Sequence, residues 1–153
     1  MTRLTIGLLG TALGIPLPAA AQPAPFRTIE ATGTLDSIHA RLNAGIDRRG
    51  LTVFARIDHA ANATAAGLEL RPTTVVIMGN PAAGTRLMQC DQQTAFELPL
   101  RVMVWEDGDG RPWISYTSTA FLARMYAMTP CLGVLDRVDA ALTSLAREAA
   151  GSP

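Results

Sequence analysis

The chain contains no lysine; all 13 of its basic residues are arginine. That removes every mechanism resting on a side-chain amine, including Schiff-base chemistry and the lysine of a phosphate-binding loop. The arginines are scattered, with Arg48-Arg49 the nearest thing to a cluster, and a nucleic-acid groove needs a basic patch. Histidine is scarce too, at two residues, and cysteine numbers two. No Cys-x-x-Cys-His run is present, which excludes covalent haem by that route. Neither a Gly-x-Ser-x-Gly elbow nor a His-Glu-x-x-His helix occurs, so the common hydrolase and zinc-protease signatures are missing. Formal net charge is +0, and removing Arg3 would make it slightly negative.

What is present begins with a targeting pattern. Arg3 supplies a positive start, and Leu4 to Leu17 is an apolar run broken by glycines and prolines. At roughly 14 residues it falls short of the ~18–20 that a membrane-spanning helix requires. Ala19-Ala20-Ala21 offers the small-x-small pattern of a signal-peptidase site. Cleavage after Ala21 is expected, giving a signal peptide over residues 1–21, no stable membrane anchor afterwards, and a periplasmic or secreted protein. The remaining chain of about 130 residues suits one domain with a real core. In an oxidising compartment the even pair Cys90 and Cys131 suggests a disulfide. The alternative is two separate buried thiols packing as small apolar side chains.

Residues 22–33 read as a proline-rich lead-in and a first strand over Phe26 to Thr32. From 34 to 150 the pattern is that of one domain. Thr34 or Asp36 can cap a helix whose Leu35, Ile38, Leu42 and Ile46 form one apolar stripe. Thr52 to Ile57 alternates, with Val53, Ala55 and Ile57 predicted on one face. Ala60 to Ala66 is a short alanine-rich helix stopped by Gly67. Thr74 to Met78 is so continuously apolar that it predicts a strand covered on both faces. Pro81 to Cys90 is a helix entered through Asn80. Leu100, Val102 and Val104 alternate with Arg101, Met103 and Trp105, and Asp107-Gly108-Asp109-Gly110 turns the chain into a returning strand over Trp113 to Thr117. Ser118 or Thr119 caps a short helix. Pro130 opens the last one, where Leu135, Val138, Leu142, Leu145 and Ala149 make an amphipathic stripe.

Few residues carry candidate chemistry. Asp58-His59 sits where a strand meets a helix; Asp58 can cap that helix, and a histidine is a side chain able to act as acid, base or ligand. His39 lies by the apolar stripe of the first helix, where packing accounts for it. Gly79-Asn80-Pro81-Ala82-Ala83-Gly84-Thr85 follows a strand and opens a helix, whose free N–H groups could attract a small anion, with Arg86 as counter-charge. The spacing resembles a phosphate loop, but Thr85 stands where the lysine would be. The Asp107 to Gly110 turn lacks the closing glutamate of a calcium loop. Five methionines (Met78, Met88, Met103, Met125, Met128), with Cys90, Cys131 and His59, could suit copper(I). They form no Met-x-x-Met cluster, so core filling explains them. No metal and no cofactor is assigned.

Asp58-His59-Ala60, Gly79-Asn80-Pro81, Gly84-Thr85, Leu87-Met88, Leu98-Pro99-Leu100 and Trp105-Glu106-Asp107 together resemble the domain-of-unknown-function 302 family, from the first helix to about Tyr126. The resemblance implies an α+β fold, a single domain with an antiparallel sheet of about four to five strands and helices packed on it, often a homodimer. It implies no reaction. Two positions depart from the family pattern: Glu97 stands where an aspartate is expected, and Met125 where a histidine is common. The function expected is a non-catalytic module that binds a small ligand, such as an anion, or a partner. Its candidate residues are Asp58, His59, Asn80, Thr85, Arg86 and Glu97. The alternatives are a small periplasmic enzyme using His59 as general base, oriented by Asp58 or Glu97, and a metal- or redox-linked accessory protein. Uniting the Asp58-His59 and Gly79-Asn80-Pro81 turns in one site requires that the adjoining strands bring them to the same end of the sheet.

Overall fold

The computed structural model describes residues 24–151, so the expected leader at 1–21 lies outside the described residues. The chain runs β1 (Phe26–Glu30), α1 (Leu35–Arg48), β2 (Thr52–Asp58), α2 (His59–Ala65), β3 (Thr73–Gly79), α3 (Pro81–Cys90), β4 (Leu100–Glu106), β5 (Pro112–Thr117), α4 (Thr119–Met125) and α5 (Leu132–Ala150). Helix starts fall on residues that can accept a backbone N–H: Thr34 takes that of Ser37, Asp58 that of Ala61, Asn80 those of Ala82 and Ala83, and Ser118 that of Phe121. Each such cap stabilises its helix by about 1 kcal/mol. The last helix stops at Gly151, whose φ of 74° costs a side-chain-free residue little.

The five strands form one antiparallel sheet in the order β1-β5-β4-β3-β2. Val102 of β4 lies between Val76 and Tyr116, and Val104 lies between Thr74 and Ile114. Their common face carries Met78 and Leu100 as well, and all but the half-buried Thr74 are buried. Onto this face pack Ile38, Leu42 and Ile46 of α1 and Leu142, Leu145 and Ala149 of α5. Burying each Leu or Ile contributes roughly 1.5–3 kcal/mol. The opposite face shows Val75, Ile77, Met103, Trp105 and Trp113, all partly exposed.

Two strand expectations are corrected here. The β2 register shifts between Val53 and Ala55: Val53 opposes Met78 while Ala55 opposes Ile77. One extra residue, Phe54, turns the strand over, so Val53 and Arg56 lie on the helix face and Ala55 and Ile57 on the other. Arg56 accordingly donates to Asn43 Oδ1 of α1 at 2.6 Å. The second correction is to β3, which is not covered on both faces. Val76 and Met78 are buried, whereas Val75 and Ile77 are partly exposed, so its continuous apolar run serves one packed face and one solvent-facing apolar face.

Candidate functional site: an apolar cavity beside α3 and α5

The β2–β3 register decides which candidate residues meet. Thr52 opposes Gly79 at one end of the pair and Asp58 opposes Thr74 at the other. The intervening strand is five steps long, roughly 17 Å at ~3.4 Å per residue. Asp58 and His59 therefore sit at one end of the sheet, and Asn80, Thr85 and Arg86 at the other. A site shared between the two turns is not formed. Nor is the acid–base arrangement: Asp58 Oδ1 accepts the Ala61 N–H at 2.9 Å, and Glu97 Oε2 accepts from Arg101 at 2.7 Å near the β4 start. His59 is exposed on the first turn of α2.

The start of α3 is likewise closed rather than open. Asn80 Oδ1 accepts from Ala82 N at 2.9 Å and Ala83 N at 3.1 Å. Gly84 N donates to the Asn80 carbonyl, and Pro81 has no N–H to offer. The first-turn donors are thus occupied within the chain, and the expected anion seat on the bare helix end is absent.

At the same end, Asn80, Thr85 and Arg86 line a cavity of about 750 Å³. Its floor is the end of β3 and the start of β4, at Met78 and Leu100, and its sides are α3 and α5, with Leu87, Val138 and Leu142. The bulged Phe54, 51% exposed, and the Leu98-Pro99 segment complete it. Three elements set this wall. Asn80 and Pro81 start α3 at the strand end. The Cys90–Cys131 disulfide, with Cα atoms 6.3 Å apart, ties the far end of α3 to the chain entering α5. Arg49, which bonds Glu148 at 2.9 Å and Ser144 at 2.9 Å, fixes the end of α1 against α5.

The cavity was not foreseen in the sequence, although a signal for it is present. Val138, expected in the core stripe with Leu135, Leu142 and Leu145, is only partly buried and also forms a second stripe along α5 with Val134 and Ala141, at four- and three-residue spacing. That second stripe borders the cavity. Arg137 sits among them and also lines it.

Electrostatics elsewhere are structural. Asp107 Oδ1 accepts from Asp109 N and Arg111 N, each at 2.9 Å, and its Oδ2 accepts from Trp113 Nε1 at 2.9 Å. These bonds hold its carboxyl below the usual value and account for the acidic turn as a hairpin device. Trp113 stacks on Trp105 at 6.2 Å between ring centroids. Burial, and then the charge of Arg56, hold the His39 imidazole below its ordinary value. Burial, and then the carboxylates of Glu97 and Asp91, push the Tyr126 phenol up. Among the described residues no group of three His, Cys, Asp or Glu gathers in a way that could hold a metal.

An antiparallel sheet wrapped by helices on one face, with an apolar cavity between the strand ends and two of those helices, defines a single-domain α+β class. Within it the chain belongs to the family described as domain of unknown function DUF302, which matches residues 27–147. The fold is similar to that of an uncharacterized conserved DUF302 protein from Bacillus stearothermophilus, with a TM-score of 0.72 at 16% identity, covering 83% of this chain and 99% of that one. The chain is also 39% identical over 101 residues to a protein named fluoride-specific ion channel FluC 1 from Brucella suis biovar 1 (strain 1330), covering 66% of this chain and 40% of that protein. The FluC 1 protein of Brucella abortus biovar 1 (strain 9-941) matches at 39% identity over the same share of this chain and 37% of its own length. The chain therefore spans about two fifths of the curated relatives it matches. Among the described residues no helix is long and apolar enough to cross a membrane.

Proposed function

We propose that the protein is a non-catalytic module that binds a small, largely apolar molecule in the cavity between α3, α5 and the strand ends. The single observation that carries this reading is the cavity itself. At about 750 Å³ it falls in the ~300–1,000 Å³ range of small-molecule sites. Among its described lining residues there is no histidine, cysteine, aspartate or glutamate, the groups on which acid–base or nucleophilic chemistry usually rests. The test is a titration with the neutral fluorophore N-phenyl-1-naphthylamine. Enhanced emission is expected for the wild-type protein and its loss for Ala141→Trp, which fills the cavity from an exposed position on α5. No enhancement, or an unchanged signal in the folded variant, counts against the reading.

A second reading concerns where the module works, and the match to part of two proteins named as fluoride channels favours it. We infer that the matched segment is an appended domain of those proteins and that this chain serves beside a membrane transport protein, on the exported side. The leader-like residues 1–21 and the Cys90–Cys131 bridge support export. Cell fractionation with N-terminal sequencing is expected to recover a periplasmic chain starting at Gln22. A cytoplasmic chain retaining Met1 excludes export. Deleting the matched segment from the Brucella suis relative is expected to alter fluoride efflux from cells, measured with a fluoride electrode; unchanged efflux removes the link to transport.

A further inference from the structure

We infer that the ligand of this cavity is an amphipathic anion: an apolar chain or ring bearing one carboxylate or comparable acidic group. This rests on the binding reading above and adds the chemical class. Three arginines, Arg49, Arg86 and Arg137, line the cavity, and no acidic residue is among its described lining. The three are not equivalent. Arg49 is neutralised, because Nη1 meets Glu148 Oε2 at 2.9 Å and the Gly45 carbonyl at 3.0 Å while Nη2 donates to Ser144 Oγ at 2.9 Å. It acts as a strut between α1 and α5. The guanidinium groups of Arg86 and Arg137 have no hydrogen-bond or ion-pair partner among the described residues, although those of most other arginines of the domain do.

Their positions matter as much as their charge. Arg86 projects from α3 and Arg137 from α5, the two helices that form the cavity sides, and both are exposed. Neither guanidinium is desolvated before a ligand arrives, so keeping the pair there costs the empty fold little. Each presents a planar fork of donors that matches a carboxylate. The rest of the lining includes the partly exposed Leu51, Leu98, Val134 and Val138, which offer an apolar tail dispersion contacts. A neutral apolar ligand would use the wall and leave both cations idle. A cationic amphiphile would meet two positive charges with no carboxylate in the described lining to balance them. With the α3 donors closed by Asn80, the acidic group is recognised by these side chains and not by the helix end.

The experiment is calorimetric titration of the whole protein with three ten-carbon probes below their micellar concentrations: decanoate, decan-1-ol and decyltrimethylammonium. Decanoate is expected to bind about tenfold more tightly than decan-1-ol, equivalent to ~1.4 kcal/mol, with the ammonium probe weakest. The preference for decanoate should shrink as salt is raised. In Arg86→Gln/Arg137→Gln, decanoate affinity should fall to that of decan-1-ol while decan-1-ol affinity is unchanged, which a merely structural role of the arginines would not produce. Equal binding of decanoate and decan-1-ol to wild type, or a preference kept by the double variant, overturns the inference and leaves the apolar site intact. Failure of all three probes, together with no response from the neutral fluorophore, overturns the binding reading and this inference with it.

Discussion

Asp58 shows how a residue beside a histidine can be wholly structural. Its carboxylate takes the Ala61 N–H at 2.9 Å, and the neighbouring His59 is exposed on α2. Asp58→Ala is expected to lower stability by about 1 kcal/mol through the lost cap, whereas His59→Ala should leave it nearly unchanged; urea unfolding of both variants measures this. His39 makes the opposite case, a histidine whose titration bears on stability. Burial, then Arg56, depress its value below 6.5, opposed by the weaker pull of Asp36 and Asp58. Between the folded and unfolded values the unfolded chain binds more protons, so stability rises with pH in that window. The contribution is full above pH 6.5 and is lost as pH falls from there toward the folded value. Urea midpoints at about pH 7.5 and about pH 5.5 should therefore drop less for His39→Gln than for wild type; an equal drop assigns the slope to other groups.

At the scale of elements, the packing of α1 on α5 turns on Gly45. A Cβ placed there would lie 2.6 Å from Leu145 Cδ1, and Leu145 is fully buried. A glycine inside a helix is ordinarily improved by alanine by roughly 0.5–1 kcal/mol. Here Gly45→Ala is expected to destabilise instead, by about 1 kcal/mol, because Leu145 must leave its packed position. A higher urea midpoint for the variant contradicts that account. The second element-level device is the Cys90–Cys131 bridge, with a sequence separation of 41. Cys90→Ser/Cys131→Ser is expected to cost roughly 4 kcal/mol in the chain-entropy picture, read as a shift in denaturation midpoint that reductant reproduces in wild type. Since α3 is a wall of the cavity, the same variant should also bind the neutral fluorophore less tightly.

The whole molecule has two unlike sheet faces. One is filled by α1 and α5. The other carries Val75, Ile77, Met103 and the stacked Trp105 and Trp113 in partial contact with solvent, and contiguous apolar surface of this kind marks interaction sites. Self-association through it is expected, in keeping with the dimer that the family resemblance implies. Sedimentation of wild type should report a dimer and Ile77→Glu a monomer; identical behaviour of the two would exclude this face.

Much of the fold was legible along the chain because its causes are local. Thr34, Asp58, Asn80 and Ser118 accept N–H groups within three residues of themselves, and the Leu100-Val102-Val104 alternation is a property of one strand. Helix starts, the hairpin and the stripes of α1 and α5 were therefore readable without the tertiary structure. What the chain could not convey depends on how strands align. The bulge at Phe54 is a mismatch between β2 and β3 and inverts a face that strict alternation assigns to Val53 and Ile57. The β2–β3 register sends His59 and Asn80 to opposite ends of the sheet, and the disulfide and the α5 contacts set the cavity that Arg86 and the second stripe of α5 both line. Local hydrogen bonds and periodicity determined the elements; the space between them, and so the candidate site, was decided only by long-range packing, because a cavity belongs to no single segment.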